Sequence, residues 1–293
     1  MSERCSASSA VDLPGEPGRQ RTVSVDDGRT LSYAEYGSVD GRPVLFLHGT
    51  PGSRCFGRLF DTAARNRGVR LLAPDRPGYG NSSPWPERTL VDTGAVLEVV
   101  LEDAGISRAD IVGFSGGGPH ALALAATHSD LVGEVDIVSG TAPPSFSPSP
   151  PWTHRLLGAL AMSTPTILSG LFRLQSWLVS RSAPSLVVSQ YTTADEREAL
   201  TAGEAELIKQ DFLEAVIPPR GVITESALFT TDWDIPLADV DRSIRLWHGA
   251  EDENVPIDAA RQLVDSIPNA RLEIDATGGH LTTLLRRRGR LLD

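Results

Sequence analysis

Residues 111–119 read IVGFSGGGP, and this stretch decides the fold. An apolar run ends at Phe114 and a helical segment follows Ser115, so the pattern G-x-S-x-G lies between a strand and a helix. A serine on so sharp a turn has a strained backbone, and glycine at 113 and 117 avoids a steric clash. The stretch predicts a nucleophile elbow, with an exposed hydroxyl beside backbone N–H groups that attract negative charge.

Outward from this turn, short continuous apolar runs alternate with helical segments, which is typical of a parallel sheet covered on both faces. The predicted strands are residues 44–47, 69–73, 110–114, 135–138, 244–247 and 271–274. An antiparallel pair, residues 22–25 and 31–36, precedes them and is joined by a turn at Asp26-Asp27-Gly28. A helix is predicted from Leu90 to Ala104, with Gly105 as its carboxyl-terminal cap.

The interval between the strands near Gly140 and Ser243 is far longer than an ordinary crossover. It opens with a Pro/Ser-rich stretch, residues 143–151, and shows helical character at 167–179 and 196–216. The predicted organisation is a flexible tail at 1–20, an α/β core at 21–141 and 241–293, and a helical cap at 142–240.

A serine hydroxyl becomes a nucleophile when a base takes its proton and a carboxylate orients that base. Of the six histidines, His280 alone lies in a glycine-flanked loop after the last predicted strand. Asp252 follows the preceding strand, although spacing does not exclude its neighbours Glu251 and Glu253. The chain order Ser115, Asp252, His280 is the order expected after such an elbow, so these three are the predicted catalytic triad.

Residues 46–54, FLHGTPGSR, form a second glycine-rich turn after a strand. Such a loop can present a backbone N–H beside the nucleophile, and the N–H groups of Thr50 and Gly116 are the predicted oxyanion hole. The alternative is a plain connection in which His48 is merely packed. No histidine or cysteine spacing indicates a metal ligand set, and no cofactor is predicted.

The net charge of −11 and the pI near 5.0 argue against nucleic acid or an anionic membrane as partner. The basic cluster near the end, Arg286, Arg287, Arg288 and Arg290, is interpreted as a solvated helix face. Cys5 and Cys55 imply no disulfide framework, and no apolar segment has signal-peptide or membrane-span length. A cytoplasmic location is expected, and the oligomeric state is left open.

Five motifs together resemble the α/β-hydrolase superfamily: HGTPG at 48–52, DRPGYGNS at 75–82, GFSGG at 113–117, GAEDENVP at 249–256 and GGH at 278–280. The resemblance implies an eight-stranded, mostly parallel sheet with strand 2 antiparallel, helices on both faces, and a helical cap after strand 6. The loop at His48 is similar to that of prolyl iminopeptidases, except that Thr50 stands where they carry glycine. Epoxide hydrolases and haloalkane dehalogenases differ in using aspartate where this chain has Ser115.

Capped carboxylic-ester hydrolases are the most similar group, so the first hypothesis is cleavage of an ester, thioester or lactone through an acyl-enzyme on Ser115. Aminopeptidase activity of the prolyl iminopeptidase type, and acyl transfer or cyclisation by the same triad, are alternatives. A non-catalytic ligand-binding protein is a third. Aromatic residues of the cap suggest a small-molecule substrate with an apolar acyl or alcohol group, and packing in the core of the cap is the alternative for most of them: Trp152, Phe172, Trp177, Phe212 and Trp233.

Overall fold

A computed structural model describes residues 14–25, 28–146, 152–198 and 200–293. Its centre is one eight-stranded sheet with the order β1-β2-β4-β3-β5-β6-β7-β8. The strands are β1 (Arg19–Ser24), β2 (Thr30–Gly37), β3 (Arg42–Leu47), β4 (Val69–Pro74), β5 (Ala109–Phe114), β6 (Val132–Val138), β7 (Ile244–Gly249) and β8 (Ala270–Asp275).

Strand β2 is antiparallel to both of its neighbours, and every pair from β4 to β8 is parallel. The predicted fold class is therefore confirmed, and each predicted strand overlaps an observed one. The residues predicted as a turn at 26–27 lie outside the described part of the chain. Residues 1–13 of the predicted tail also lie outside the described part. Because β1 already begins at Arg19, the flexible tail stays a prediction only for the residues before this strand.

The α-helices of the described chain cover both faces of the sheet. They are α1 (Asp61–Asn66), α2 (Thr93–Asp103), α3 (Gly117–Thr127), α4 (Trp152–Ser163), α5 (Pro165–Arg181), α6 (Ser185–Val188), α7 (Ala194–Glu198), α8 (Ala202–Val216), α9 (Arg220–Leu228), α10 (Ile257–Asp265) and α11 (His280–Arg287). Helix α2 begins three residues later than predicted, because Leu90 and Val91 form a turn whose carbonyls accept from Thr93 and Gly94. Its predicted cap is confirmed, since Gly105 has a φ of 69°.

Helices α4 to α9 lie between β6 and β7, within the segment that we call the cap segment (residues 142–240). Helix α5 contains the predicted helical stretch 167–179. The predicted helical stretch 196–216 covers the end of α7 and all of α8, and it is divided at Thr201, whose side chain caps α8 and reciprocates with Glu204. Residues 147–151 of the Pro/Ser-rich stretch lie outside the description, and the division into core and cap stays a prediction.

The buried apolar side chains form two clusters, one on each face of the sheet. Phe46, Phe114 and Leu281 belong to the cluster that continues into helices α5 and α8, whereas Leu45 and Leu97 belong to the other. Alternate residues of the buried strands therefore face different layers, as a sheet covered on both sides requires. Among the described residues, no helix is long and apolar enough to cross a membrane.

Two expectations need correction. The terminal arginines are only partly solvated, because Arg288 pairs with Glu204 at 2.7 Å and the guanidinium of Arg290 lies 4.9 Å from the ring centre of Trp247. Cys55 is buried and disulfide-bonded, although the two cysteines of the sequence implied no disulfide framework. Sequence spacing could not show this, because a disulfide depends on how close two distant Cα atoms come in the folded chain.

Leu97→Ala tests how tightly α2 packs on the sheet. Leu97 is fully buried, so the substitution removes apolar contacts and leaves a cavity, and we expect a loss of about 2–5 kcal/mol in the free energy of unfolding. Leu156→Ala, at a side chain that is 50% exposed on α4, should cost about 0.5 kcal/mol or less. Urea denaturation measures both, and equal losses would contradict the assigned packing.

Candidate active site

Ser115 lies on the turn between β5 and α3, at the carboxyl edge of the sheet. Its φ of 51° is in the left-handed region that few non-glycine residues adopt, and its N–H donates to the carbonyl of Val138 at 2.9 Å. A Cβ at Gly117 would collide with the backbone carbonyl of Leu47, so glycine is required where the turn passes strand β3. The predicted elbow therefore has the expected backbone.

The structure brings the three residues of the predicted triad together. The Oγ of Ser115 lies 3.0 Å from Nε2 of His280, and Nδ1 of His280 lies 2.9 Å and 3.1 Å from the two carboxyl oxygens of Asp252. His280 is the first residue of α11, just after β8, and Asp252 follows β7. Glu251 and Glu253, which sequence spacing did not exclude as the acid of the triad, are both exposed.

Asp252 is held in its ionised form. Burial opposes ionisation, but the adjacent imidazole of His280 and the hydrogen bonds to the carboxylate lower its pKa below the ordinary value. Its Oδ1 accepts from the backbone N–H groups of Asn254 and Val255, both at 2.9 Å. The carboxylate thus has a fixed orientation toward His280.

Three other histidines are buried near this edge of the sheet, and burial lowers the pKa of each. His48 contacts the carbonyl of Gly49 through Nδ1, and His248 contacts that of Val255 through Nε2, both at 2.8 Å. The pKa of His120 is lowered to about 4, and its Nδ1 lies 2.7 Å from Oγ1 of Thr93. These rings are structural parts of the site's frame.

Thr50 and Gly116, the predicted oxyanion donors, are neighbours in space. A Cβ on Gly116 would collide with Oγ1 of Thr50, so the two backbones approach closely beside Ser115. Neither backbone N–H has an acceptor among the residues that the structure describes. Both donors are therefore available to a bound oxygen atom.

Glu225, on helix α9 of the cap segment, is fully buried beneath this loop. Its two carboxyl oxygens accept from Arg76 at 2.7 Å each, and one of them also accepts from Oγ1 of Thr50 at 2.5 Å. Arg88 and Tyr79 add bonds at 3.1 Å and 2.9 Å. Burial disfavours the charged carboxylate, but Arg76 holds the pKa of Glu225 well below its usual range. The network ties the cap segment to the Thr50 loop.

A narrow cleft opens at Ser115 between the sheet edge and helix α8. Its lining comprises Gly49, Thr50, Pro51, Phe56, Phe114, Ser115, Tyr191, Ile208, Asp211, Phe212, His280 and Leu281. Of the five cap aromatics that suggested an apolar pocket, Phe212 is among these residues, and Phe172 is buried in the core of the cap segment. Trp152 and Trp177 are instead 72% and 53% exposed on the outer side of the cap segment.

Sequence patterns did not identify two buried acids of the cap segment, Asp211 and Glu225. Asp211 lies between Leu207 and Ala215 on the apolar face of α8, where a carboxylate that faces solvent is not expected. That position in the helical period was the available signal. Glu225 next to Ser226 in a short helix carried no comparable signal, because its partner Arg76 lies 149 residues away in sequence.

Residues 42–286 match the family model described as alpha/beta hydrolase fold, so the chain belongs to this family. A 2-hydroxy-6-oxononadienedioate/2-hydroxy-6-oxononatrienedioate hydrolase of Burkholderia vietnamiensis is 31% identical over 271 residues, 87% of each chain. A proline iminopeptidase of Xanthomonas citri is 34% identical over 118 residues, 39% of this chain and 37% of that one. The solved structure of an esterase from Thermogutta terrifontis superposes with a TM-score of 0.69 at 20% identity, covering 94% of this chain and 95% of that one.

Family membership makes the protein an enzyme with hydrolase activity that acts on a small molecule. The superfamily resemblance expected from the motifs is confirmed, and relatives of the iminopeptidase type are among the matches. The likeness to the esterase structure, at 20% identity, concerns the fold alone.

Glu225→Gln removes the negative charge that faces Arg76 and Arg88. Leaving buried arginines without their counter-ion should cost about 3–5 kcal/mol of unfolding free energy at neutral pH. Because the folded-state pKa of Glu225 lies below its unfolded value, wild-type stabilisation is complete above about pH 4.5 and is lost as pH falls further. Urea denaturation at pH 7 and at pH 3.5 should show the difference shrinking in acid.

The matched control is Glu134→Gln, which removes a carboxylate that is 69% exposed and 3.6 Å from Arg245. An exposed pair of this kind contributes about 1 kcal/mol or less. If both variants lose the same stability at pH 7, the central role of the Glu225 network is wrong.

Proposed function

We propose that this protein is a serine hydrolase that cleaves a carboxylic ester, thioester or lactone through an acyl-enzyme on Ser115. The observation that carries the proposal is the continuous line of hydrogen-bond distances from Ser115 through His280 to Asp252. With Nδ1 protonated and donating to Asp252, the Nε2 lone pair of His280 faces the hydroxyl of Ser115 and can take its proton.

The reaction has two halves. Oγ of Ser115 attacks the carbonyl carbon while His280 takes its proton, and the same proton then passes to the departing alcohol, thiol or alkoxide. Water attacks the acyl-enzyme in the second half, again with His280 as base, and releases the acid. The N–H groups of Thr50 and Gly116 would bind the negative oxygen of each tetrahedral intermediate, and one such donor contributes about 10² to 10³ in rate.

Covalent labelling tests the nucleophile. A fluorophosphonate probe should label the wild type and fail to label Ser115→Ala, because phosphonylation needs the activated hydroxyl. Intact-mass spectrometry gives the stoichiometry, which should be one probe per chain. Ser139→Ala is a suitable control, since among the described residues Ser139 is the other non-glycine residue with a positive φ and it is fully buried. Labelling that persists without Ser115 would remove it as the nucleophile.

The pH dependence of turnover tests the base. A protonated imidazole cannot accept the proton of Ser115, so kcat/KM for a neutral ester should fall as the solution becomes acidic. In Asp252→Asn the carboxylate that stabilises the imidazolium is lost, and kcat should drop by about 10⁴-fold, the effect of this change in a well-studied serine protease. A profile that is flat down to pH 5 would contradict the role of His280.

A second candidate, hydrolysis of a dioate, is suggested by the relative from Burkholderia vietnamiensis, which is 31% identical. By its name, that protein acts on a dioate, a molecule with two carboxylate groups. Such a substrate needs cationic partners, and the described residues that line the cleft include no lysine or arginine. This contrast favours an uncharged ester over a dioate for the present chain.

A further inference from the structure

The acid on the cap side of the cleft is unusual in its surroundings. Asp211 of helix α8 is 3% exposed and lines the cleft together with Ile208, Phe212 and Phe56. Among the described residues, no lysine, arginine or histidine nitrogen lies within 4.0 Å of its carboxylate. A charged carboxylate in such a place would be strongly destabilising without a cation.

The buried guanidinium of Arg54 is occupied by two other acids. It donates to Asp75 at 2.6 Å and to Glu214 at 3.0 Å, and both carboxylates are buried. These two buried acids, Asp75 and Glu214, are close enough for their charges to act on Asp211. Asp75 and Glu214 each have an ion pair with Arg54, whereas Asp211 has none among the described residues, so Asp211 is the acid of the three that is expected to keep its proton.

The hydrogen bonds of Asp211 leave one oxygen for a ligand. Its Oδ1 accepts from the N–H of Ser53 at 3.0 Å and from the Oγ of Ser53 at 2.6 Å. Its Oδ2 has no partner among the described residues, and the carboxyl lines the cleft. A protonated Oδ2 is a hydrogen-bond donor in an otherwise largely apolar wall.

We propose that Asp211 is a specificity-determining residue, whose Oδ2–H donates to a second oxygen on an uncharged ester, and that the cleft rejects anionic substrates. The inference rests on the proposed ester hydrolysis and names its substrate class: a neutral ester or lactone with an additional carbonyl or ether oxygen in its acyl part. An ester without that oxygen forgoes one hydrogen bond, and a carboxylate meets a wall without a cation.

The titration of Asp211 agrees with this geometry. Burial raises its pKa to about 8, the Ser53 bonds act in the opposite direction, and the charges of Asp75 and Glu214 raise it further. Other charged or titratable groups around it are Arg54, Arg58, Tyr36, Tyr191 and His280. The carboxyl is thus neutral at physiological pH and becomes an anion in mild alkali.

Three methyl esters of matched length test the proposal: methyl pentanoate, methyl 4-oxopentanoate and monomethyl succinate, followed by methanol release. At pH 7 the wild type should favour the oxo ester over the pentanoate in kcat/KM by about 3- to 10-fold, the value of one neutral hydrogen bond. The succinate should be about 100-fold poorer than the oxo ester. Above pH 8 the preference for the oxo ester should disappear.

Two variants separate the donor from the charge. Asp211→Asn keeps a neutral donor at every pH, so the preference for the oxo ester should persist at pH 9. Asp211→Leu removes the donor and should lower kcat/KM for the oxo ester alone. Glu206→Gln is the matched control, because it makes the same change from carboxyl to amide in the same helix at a residue outside the cleft lining. It should keep the wild-type ratios.

A measurement independent of turnover checks the titration and the folding of the variants. Between about pH 4 and pH 8 the folded wild type retains a proton on Asp211 that the unfolded chain has lost, so its stability falls as pH rises. The free energy of unfolding of Asp211→Asn relative to wild type should therefore rise over this window and level off above it.

The outcomes distinguish the two claims. If the wild type hydrolyses pentanoate and oxo ester equally at pH 7, or hydrolyses the succinate as well as the oxo ester, the role of Asp211 is overturned while ester hydrolysis stands. If none of the three esters is hydrolysed, although the fluorophosphonate labels Ser115, the proposed ester hydrolysis is overturned and the inference with it.

Discussion

The hydrogen bond between Ser115 and His280 depends on the register of the parallel strands. Ser115 follows β5, Asp252 follows β7 and His280 follows β8, and these strands end at one edge of the sheet because their neighbours are paired in parallel. A shift of two residues in one pairing would move a side chain by about 7 Å, more than a hydrogen bond can span. The rigid sheet is therefore what positions residues that are distant in sequence.

Buried charge is the second constraint on this molecule. The carboxylate of Glu225 lies between Arg76 and Arg88 beneath the Thr50 loop, while Asp75 and Glu214 share Arg54 beneath the cleft. Such pairs add little net stability compared with an apolar core, but they are costly to break because each leaves an unpaired charge. Their position joins the cap segment to the loops that flank Ser115, so that the packing of α8 and α9 also shapes the active-site wall.

The cleft shows why membership of the family does not identify the substrate. A shared sheet and shared motifs place Ser115 and His280, whereas one wall of the cleft comes from helix α8 and from Tyr191 in the cap segment. Those walls are apolar apart from a few groups, and Asp211 is the acid among them that no cation balances in the described structure. Function on a common scaffold is decided at such sites.

Local chemistry in the sequence was sufficient to predict the sheet, the elbow at Ser115, and the candidates Asp252 and His280. Glycine-rich turns and strand periodicity depend on neighbouring residues, so they can be recognised along the chain. Glu251 and Glu253 could be separated from Asp252 only in three dimensions, because adjacent acids share the same local pattern. The same holds for Glu225, Asp211 and the disulfide at Cys55. Their surroundings come from residues far away in the chain, and burial, charge pairing and pKa are properties that only the tertiary structure decides.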